Sequence, residues 1–470
     1  MTSSFFTQIG SDIDGEAAYD YSGSSVSLSA DGSVVAIGAT QNDGNGSDSG
    51  HVRIYKNVND NWTQVGSDID GEAAEDSSGI SVSLSQDGTI VAIGATGNDG
   101  NGMRSGHVRI YKNVNDNWTK IGNDIDGEAE FDHFGTSVSL STDGSVVAIG
   151  ASGNDGNGTD SGHVRIYKNV NNSWLQIGED IDGEHNGDGS GESVSLSADG
   201  SIVAIGAQLN SDNGTVSGHV RIYKNVNDNW TKIGNDIDGE AESDYSGRAI
   251  SLSSDGETVA IGATGNDGNG MRSGHVRIYK NVNDNWTKIG NDIDGEAEFD
   301  HFGTSVSLST DGSVVAIGAS GNDGNGTDSG HVRIYKNVNN SWLQIGEDID
   351  GEHNGDGSGE SVSLSADGSI VAIGAQLNSD NGTVSGHVRI YKNVNDNWTK
   401  IGNDIDGEAI NDGLGSSVSF SADGSFVAIS AQYNDGNGSI SGHVRIYRVG
   451  ITDFEALNYI ASYGDLINAF

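Results

Sequence analysis

The sequence repeats with a period of 56 residues. The letters HVRIY begin at eight positions, each 56 residues after the last: His51, His107, His163, His219, His275, His331, His387 and His443. Eight periods account for residues 1–448 of the 470, and residues 91–241 are identical to residues 259–409. A chain of this kind folds as a stack or a ring of like units, because one unit cannot bury its apolar face alone.

Each repeat contains four short segments with the pattern of β-strands, which we label A to D. In the first full repeat they are SVSLS (25–29), VVAIGA (34–39), HVRIYK (51–56) and WTQVG (62–66). Asp31-Gly32 between A and B predicts a hairpin with a type I′ turn. Small and large side chains alternate along A and B, which suits blades stacked large face on small face. Within the repeats no segment has helical periodicity and length, so the sequence predicts an all-β protein.

The phase of the repeats favours a closed ring. The chain starts with a D-like segment, FFTQIG (5–10), and its last repeat ends after a C-like segment, HVRIYR (443–448). The eighth unit therefore lacks strand D, and closing the ring supplies it from the N-terminus and covers an exposed strand edge. Units of four short strands are typical of propellers. We predict an eight-bladed β-propeller of 56-residue four-stranded repeats over 1–448, closed by the N-terminal strand.

The repeats resemble a known family. HFGTSVSLSTDGSVVAIGAS (133–152), followed by GHVRIYKN, resembles the FG-GAP repeat of integrin-α-type β-propellers and its bacterial branch, with Phe134-Gly135 and Gly150-Ala151 at the two named positions. The resemblance covers 1–448 and implies an extracellular or cell-surface propeller that binds ligands and is not an enzyme. The integrin type usually has seven blades. The family's calcium loop, Asp-x-Asp/Asn-x-Asp-Gly between A and B, is replaced here by SADGS or a variant, so calcium is not carried over to that loop.

The charge of the chain restricts its partners. It contains 68 Asp plus Glu against 23 Lys plus Arg, a formal net charge of −45. Nucleic acid and anionic lipid would be repelled, so we expect neither as a partner and expect cations to be attracted. No apolar run is long enough to span a membrane, and we expect no membrane insertion.

Most acidic residues fall in the B–C and D–A connections, which an up-and-down blade places on one face. The segment DIDGE recurs there and supplies the candidate metal ligands Asp12, Asp14, Glu16, Asp68, Asp70, Glu72, Asp124, Asp126 and Glu128, with counterparts in later blades. Calcium binds six to eight oxygens on flexible loops, so it is the cofactor these carboxylates predict. The alternative is that Asp, Asn and Gly act as turn formers and the acidic surface serves solubility.

The histidines and tryptophans recur with the repeats and are further candidates for function. We assign the His of HVRIY a structural role, because one His per blade cannot form a metal cluster unless it reaches the axis. We expect His133, His185, His301 and His353 to be solvated loop residues, and the recurring Trp to pack between blades. Catalysis needs unlike groups gathered at one point, and near-identical blades do not supply them, so we predict no enzyme activity.

The last segment, 449–470, has a different pattern. Phe454, Leu457, Ile460 and Ala461 follow helical spacing, which predicts a short helical tail or a truncated second module. The N-terminus has no basic and apolar segments of a signal peptide, and the chain has no Cys for disulfides.

Together these features predict a secreted or cell-surface binding or adhesion module stabilised by calcium. We expect a protein or glycan ligand and a chain that is monomeric or part of a larger one. The alternatives are a purely structural spacer of a larger exoprotein and a carbohydrate-binding, lectin-like propeller.

Overall fold

Each repeat forms one antiparallel sheet, and eight such sheets form a closed ring. The computed structural model describes residues 6–450. Its 40 strands are, in chain order, β1 (Phe6–Gln8), β2 (Ile13–Asp14), β3 (Ser22–Leu28), β4 (Val34–Ala39), β5 (His51–Val58), β6 (Asn61–Gln64), β7 (Ile69–Asp70), β8 (Ser81–Leu84), β9 (Ile90–Ala95), β10 (His107–Asn113), β11 (Trp118–Lys120), β12 (Ile125–Asp126), β13 (Phe134–Leu140), β14 (Val146–Ala151), β15 (His163–Val170), β16 (Ser173–Gln176), β17 (Ile181–Asp182), β18 (Ser193–Leu196), β19 (Ile202–Ala207), β20 (His219–Asn225), β21 (Trp230–Lys232), β22 (Ile237–Asp238), β23 (Ile250–Leu252), β24 (Thr258–Ala263), β25 (His275–Asn281), β26 (Trp286–Lys288), β27 (Ile293–Asp294), β28 (Ser305–Leu308), β29 (Val314–Ala319), β30 (His331–Val338), β31 (Ser341–Gln344), β32 (Ile349–Asp350), β33 (Ser361–Leu364), β34 (Ile370–Ala375), β35 (His387–Val394), β36 (Asn397–Lys400), β37 (Ile405–Asp406), β38 (Val418–Phe420), β39 (Phe426–Ala431) and β40 (His443–Val449).

The predicted order A-B-C-D holds in every blade, with one refinement. In blade 1, strands A, B and C are β3, β4 and β5, and strand D has two pieces, β6 and β7, that both pair with β5. The DIDG segment, which the sequence assigned to the D–A connection, therefore begins as part of the sheet. Its second Asp, Asp70, lies directly opposite His51.

The A–B hairpin forms as predicted, but its turn differs from the expected type. A type I′ turn needs a positive φ at both central residues. In blade 1 only Gly32 has a positive φ, of 67°. The N–H of Ser29 donates to the carbonyl of Val34 at 2.9 Å, so the loop between them is longer than two residues.

The N-terminal strand closes the ring as predicted. Strand β1 pairs with β40, placing Phe6 opposite Val449, and β2 pairs with β40, placing Ile13 opposite Val444. Blade 8 thus takes strands A to C from the end of the repeats and strand D from their beginning. Its sheet is covered on the edge that the last repeat would leave exposed.

A circle of backbone hydrogen bonds shows the closure at the centre. One residue in each A–B turn donates its N–H to the carbonyl of the equivalent residue in the next blade, at 2.8 to 3.0 Å. The circle runs through Ala30, Gln86, Thr142, Ala198, Ser254, Thr310, Ala366, Ala422 and back to Ala30. In a linear stack the first and last of these groups could not form a hydrogen bond with each other. The circle therefore requires eight blades around one axis.

Blades stack large face on small face. Val35 and Ile37 of blade 1 are buried against Ala428, Val444 and Ile446 of blade 8. Trp62 packs against the same cluster, which confirms that the Trp series lies between blades. Apolar layers of this kind stabilise a propeller in proportion to the area removed from water.

The glycines of the FG and GA positions allow adjacent blades to approach each other closely. A Cβ on Gly38 would lie 2.2 Å from the carbonyl oxygen of Gly79 in the next blade. The glycines of the FG position also have φ between 92° and 95°, a region that only glycine adopts without strain.

We expect Gly135→Ala to destabilise the propeller by about 2–4 kcal/mol, from backbone strain and crowding together. Gly135 has φ 95°, and its Cβ would lie 2.8 Å from the carbonyl oxygen of His107. The matched control is Gly187→Ala, since Gly187 has φ 77° with nothing within 4 Å of the added Cβ. Urea unfolding of both variants measures the difference, and equal losses would show that crowding between blades is unimportant.

Two sequence predictions concern other parts of the chain. The predicted helical tail lies outside the described residues from 451 onward, while Val449 is the last residue of β40 and Gly450 follows it. In the part of the chain that the structure describes, no helix has the length and apolar character needed to cross a membrane.

Candidate functional site

The B–C and D–A connections lie together on one face of the ring, which we call the loop face. Their backbones are joined by hydrogen bonds: in blade 1 the N–H of Glu75 donates to the carbonyl of Ser47 at 2.7 Å. The side-chain amide of Asn45 also donates to the carbonyl of Gly71 at 2.8 Å. The B–C and D–A connections of a blade therefore form one continuous surface, and the acidic residues of both connections belong to it.

One acid in each D–A connection has a structural role. Asp76 is 1% exposed, and its Oδ2 accepts hydrogen bonds from the N–H groups of Glu72 and Ala73 at 2.8 and 2.9 Å. The residues that do the same in the other blades are Asp20, Asp132, Asp188, Asp244, Asp300, Asp356 and Asp412. These buried carboxylates fix the path of the loops and are not available to a ligand.

The A–B turn does not fit the calcium loop of the resembling family. Its one carboxylate, Asp31, accepts hydrogen bonds through Oδ1 from the N–H and hydroxyl of Ser33 and the hydroxyl of Ser29, at 2.7 to 2.9 Å. Burial raises the pKa of Asp31, but these hydrogen bonds outweigh it and hold the pKa below its ordinary value. Calcium needs six or more oxygens, and this turn offers one carboxylate already in use.

The predicted ligands of one DIDGE segment divide between two adjacent blades. Asp68 and Asp70 stay beside His51 of their own blade. Glu72 reaches the next blade, where its two oxygens lie 3.9 Å from Arg109 Nη1 and from His107 Nδ1. The three carboxylates of one segment therefore do not form one site.

The other predicted ligands divide in the same way. Asp12 and Asp14 lie with His443, and Glu16 reaches His51 and Arg53 of blade 1. In the next set, Asp124 pairs with Lys120, and Asp126 lies opposite His107. Glu128 reaches Arg165 of the following blade.

The resulting unit is an inter-blade cluster of five side chains. We define it by the two Asp of one DID segment, the His and Arg of the same blade's HVRIY, and the Glu of the preceding blade. In blade 1 these are Glu16, His51, Arg53, Asp68 and Asp70. His51 Nδ1 lies 3.9 Å from a carboxylate oxygen of Glu16 and 3.9 Å from one of Asp70. His51 and Arg53 are buried, while the carboxylates are partly open to solvent.

The arginine of HVRIY forms a hydrogen bond to the preceding blade. Arg53 Nη2 donates to the backbone carbonyl of Asp14, and Nη1 lies 3.8 Å from Glu16. In all eight blades the equivalent bond measures 2.5 to 2.7 Å. Each five-residue cluster contains three carboxylates and one guanidinium, so its net charge is negative.

The electrostatics of the cluster follow from burial and crowding. Burial raises the pKa of Asp70 and the adjacent Asp68 raises it further, while Arg109 lowers it. Burial and then Arg53 lower the pKa of His51 to about 4. At neutral pH the imidazole is therefore uncharged, and an uncharged imidazole can act as a metal ligand.

Grooves between blades open onto the carboxylates of the clusters of blades 2 and 4. One groove of about 550 Å³ is lined by Asp124, Asp126, Arg165 and Trp174. A groove of about 360 Å³ lies at the same place between blades 4 and 5. A small ion can therefore reach the carboxylates from solvent.

Two blades add a second group of titratable side chains. His185 Nδ1 lies 3.1 Å from Asp212 Oδ1, and His353 from Asp380 at the same distance. Both histidines are about 63% exposed, as expected for solvated loop residues. His133 and His301 line shallow hollows on the loop face.

Sequence reasoning missed the histidine and arginine of HVRIY as members of the site. In blade 1 the structure brings His51 to carboxylates of its own and the preceding blade, without any need to reach the axis. The signal that could have found them is the pairing register: a strand D extended to DID places its second Asp opposite the His.

The phenylalanine of the FG position supports the cluster in two blades. Phe134 is fully buried, and the guanidinium of Arg165 lies 4.2 Å from its ring centroid. Phe302 and Arg333 repeat this contact at 4.3 Å. The other blades place Ser22, Ser78, Ser190, Ser246, Ser358 and Leu414 there. The aromatic ring holds the arginine by a cation–π contact.

The ring of eight four-stranded blades makes the chain a β-propeller. The sequence pattern of the FG-GAP repeat family matches residues 13–55, 125–167 and 293–335. Each match runs from the Ile of a DID segment to the Tyr of HVRIY, and the remaining repeats keep the same spacing and fold. The chain is a β-propeller that contains FG-GAP repeats.

Two solved structures are similar to the chain at low sequence identity. The structure of the Dos1 propeller is 12% identical, with 95% of this chain and 96% of that chain covered and a TM-score of 0.55. A periplasmic gluconolactonase of Pseudomonas aeruginosa is 15% identical, with 70% and 85% covered and a TM-score of 0.45. Similarity at this level concerns the fold alone. No curated protein compared with the chain matches it.

Proposed function

We propose that this propeller is a non-catalytic binding module that acts outside the cell and contacts a basic protein partner through its loop face. Cations held at the inter-blade clusters, with calcium as the ion that the carboxylates predict, stabilise that face. The fold and the family match support a binding role, and the surface of the loop face supports the kind of partner.

The observation that carries the proposal is a set of exposed apolar side chains on the loop face. They are between 38% and 59% exposed and all lie in B–C or D–A connections or directly after the FG position: Tyr19, Ile80, Met103, Phe131, Leu209, Met271, Phe299, Leu377, Ile410 and Tyr433. Exposed aromatic and Met side chains in such numbers are typical of protein–protein contact surfaces.

Differences between the repeats concentrate at these same positions. The place of Phe131 is taken by Ser243 in blade 5, and the place of Met103 by Thr159 in blade 3. The strands, in contrast, are nearly identical from blade to blade. Loop differences on a constant scaffold change the surface without changing the fold, as in other proteins whose loops carry recognition.

Charge complementarity indicates the chemistry of the partner. The net charge is −45, and most acids lie on the loop face. A basic partner is attracted and oriented by such a field, whereas an acidic one is repelled. A partner that combines basic and apolar groups fits both properties of the face.

We expect a randomised displayed-peptide library, selected on the full chain, to yield basic peptides that contain aromatic or aliphatic residues. Substituting four exposed side chains by residues that other blades carry at the same places should weaken the selected peptides at least ten-fold. The four changes are Phe131→Ser, Phe299→Ser, Met103→Thr and Met271→Thr. Loss of several contacts of about 1 kcal/mol each accounts for this change.

The control changes apolar side chains of equal exposure away from the loop face. Leu175→Thr and Leu343→Thr copy Thr63 of blade 1 in strand D, where both leucines are 52% exposed. These variants should bind the peptides like the unchanged chain. Selection of neutral or acidic peptides, or equal binding by all variants, would contradict the proposal, and binding to a glycan array alone would favour the lectin alternative.

A further inference from the structure

We propose that four of the eight inter-blade clusters, those of blades 1, 3, 6 and 8, are sites for a divalent transition metal of the Zn²⁺ class. The ligands are the buried His Nδ1 of HVRIY and carboxylates from two adjacent blades. This inference rests on the proposed function and deepens it, because it names the cation at these four clusters and puts zinc there in place of calcium.

A buried imidazole lies beside the carboxylates of all four clusters, and at His443 only Nε2 lacks a hydrogen-bond partner. His51, His163 and His331 are at most 1% exposed, and neither ring nitrogen has a hydrogen-bond partner. Buried polar atoms are nearly always satisfied, so an unsatisfied nitrogen facing carboxylates indicates a missing ligand. Acidic residues alone would not indicate one, since exposed carboxylates are common on acidic surfaces.

The spacing of the donor atoms leaves room for an ion. Nδ1 of the four histidines lies 3.8 to 4.0 Å from the nearest carboxylate oxygens, in contacts with Glu16 and Asp70, Asp180 and Asp182, Glu296 and Asp350, and Asp14. This is too long for a hydrogen bond. Two ligands bound to one zinc ion at about 2.0–2.1 Å are about 3.4 Å apart, which partly exposed carboxylates reach by small movements.

The donor set selects the metal class. Calcium is bound by oxygen ligands, whereas a neutral imidazole combined with carboxylates suits zinc and other first-row divalent metals. The three-residue groups Glu16–His51–Asp68, Glu128–His163–Asp180 and Asp12–Asp14–His443 each bring one imidazole and two carboxylates within 4.8 Å of one another. Water can complete the coordination, because the carboxylates are partly open to solvent.

Second-layer contacts orient the ligands. In blade 1 one oxygen of Glu16 faces Arg53 and the other faces His51. In blade 3 the ring of Phe134 meets His163 edge-on, with the centroids 6.2 Å apart. Such contacts fix the direction of the donor atoms before an ion arrives.

A single position separates these four clusters from the others. Gln8, Gln64, Gln176 and Gln344 donate Nε2 to the first Asp of their cluster at 2.5 to 2.6 Å. Lysine takes this place in blades 2, 4, 5 and 7, where Lys120, Lys232, Lys288 and Lys400 reach the same Asp at 2.5 to 2.7 Å. The neutral amide leaves the carboxylate charge for a cation, while the ammonium group neutralises it and repels an ion.

The contrast is sharpest between the glutamine blades and blades 2 and 5. Blades 4 and 7 carry lysine but gain a carboxylate, Asp212 or Asp380, from the B–C connection. Asp212 belongs to a group with His219 and Asp238. The test therefore changes the glutamine blades and blades 2 and 5, and leaves blades 4 and 7 as they are.

The experiment is a Zn²⁺ titration of the full chain, stripped with chelator, in the presence of millimolar Ca²⁺. The variant Gln8→Lys, Gln64→Lys, Gln176→Lys, Gln344→Lys should lose four tight zinc equivalents, each weakened at least ten-fold. The variant Lys120→Gln, Lys288→Gln should gain two. Both exchanges use residues that sister blades already carry at this place, so folding should be retained and circular dichroism checks it. X-ray absorption of the Co²⁺-loaded chain should show imidazole scattering.

An unchanged zinc count in the glutamine-to-lysine variant, oxygen-only coordination, or displacement of zinc by millimolar calcium would each overturn the inference. These outcomes leave the proposed binding function standing if the loop-face substitutions still weaken peptide binding at least ten-fold. If the loop-face substitutions did not weaken peptide binding but four zinc sites were still measured, the proposed basic partner would be wrong and the metal sites would stand.

Discussion

Removal of residues 1–14 is expected to abolish the closed propeller at physiological temperature. This segment supplies the whole outer strand of blade 8, and it buries Ile9 and Ile13 to 2% and 5% exposure. Each buried Ile contributes about 1.5–3 kcal/mol, and each lost backbone hydrogen bond about 1 kcal/mol. The sum is comparable to the roughly 5–15 kcal/mol that stabilises a typical domain.

Thermal unfolding followed by circular dichroism measures the loss, and size-exclusion chromatography detects association through the exposed edge of β40. Removing residues 1–5 alone leaves β1 and β2 in place, so this control should melt like the full chain. A permutant that carries residues 6–14 after Gly450, joined by a turn copied from Asn57–Asn61, should recover most of the stability. An unchanged melting temperature in the 1–14 deletion would show that the ring does not depend on this closure.

The fold was predictable because it follows from period and phase. The 56-residue spacing sets the number of blades, and the offset of the chain ends sets the strand that closes blade 8. Both are properties of a single repeat and its neighbours, which the one-dimensional pattern contains. The large-on-small stacking of Val35 and Ala428 likewise follows from alternation along strands A and B.

The membership of the candidate site was not predictable from the same pattern. Arg53 donates to the carbonyl of Asp14, 39 residues earlier and one blade away. Which side chains meet across that gap depends on the rotation between neighbouring blades, and a repeat pattern does not state that rotation. The sequence therefore grouped Asp68, Asp70 and Glu72, whereas the rotation sends Glu72 to His107 and Arg109.

The conformation of the D–A connection was hidden for a local reason. Phe131 and His133 both adopt positive φ, of 65° and 54°, which their own preferences disfavour. Between them the carboxylate of Asp132, 1% exposed, accepts the N–H groups of Glu128 and Ala129. A buried acceptor thus overrides local preference. From sequence alone this Asp is indistinguishable from the exposed acids around it.

Acidification from pH 6.5 to 4 is expected to unfold the propeller cooperatively when a chelator removes metal ions. Burial lowers the pKa of the eight HVRIY histidines to about 4, or to about 3 for His275. Well above pH 6.5 these groups are neutral in both states and have no effect. As pH falls through 6.5, the histidines of the unfolded chain bind protons that the same histidines in the folded chain do not bind. The free energy of unfolding therefore falls as pH falls.

The size of the effect comes from the number of histidines. A difference of about 2.5 pKa units corresponds to roughly 3 kcal/mol for each residue once both states have titrated, so even a few of the eight are enough to unfold a domain. The cluster carboxylates act with the opposite sign. Burial and adjacent Asp raise the pKa of Asp14 and Asp70, so the folded chain binds these protons more tightly and gains stability as pH falls toward their ordinary range. Their gain begins lower on the pH scale than the histidine loss.

The measurement is the melting temperature between pH 7.5 and 4.5 in chelator, at constant ionic strength. His185→Ala and His353→Ala are the controls, because both side chains are exposed and other blades carry Ala at that place, as at Ala17. Their profiles should match that of the unchanged chain. Zinc should shift the fall to lower pH, since a bound metal competes with protons for the imidazole. A melting temperature that stays constant down to pH 4.5 in chelator would contradict this prediction. It would mean that the buried imidazoles bind protons in the folded ring, because the surrounding carboxylates stabilise the charged imidazolium and offset the cost of its burial.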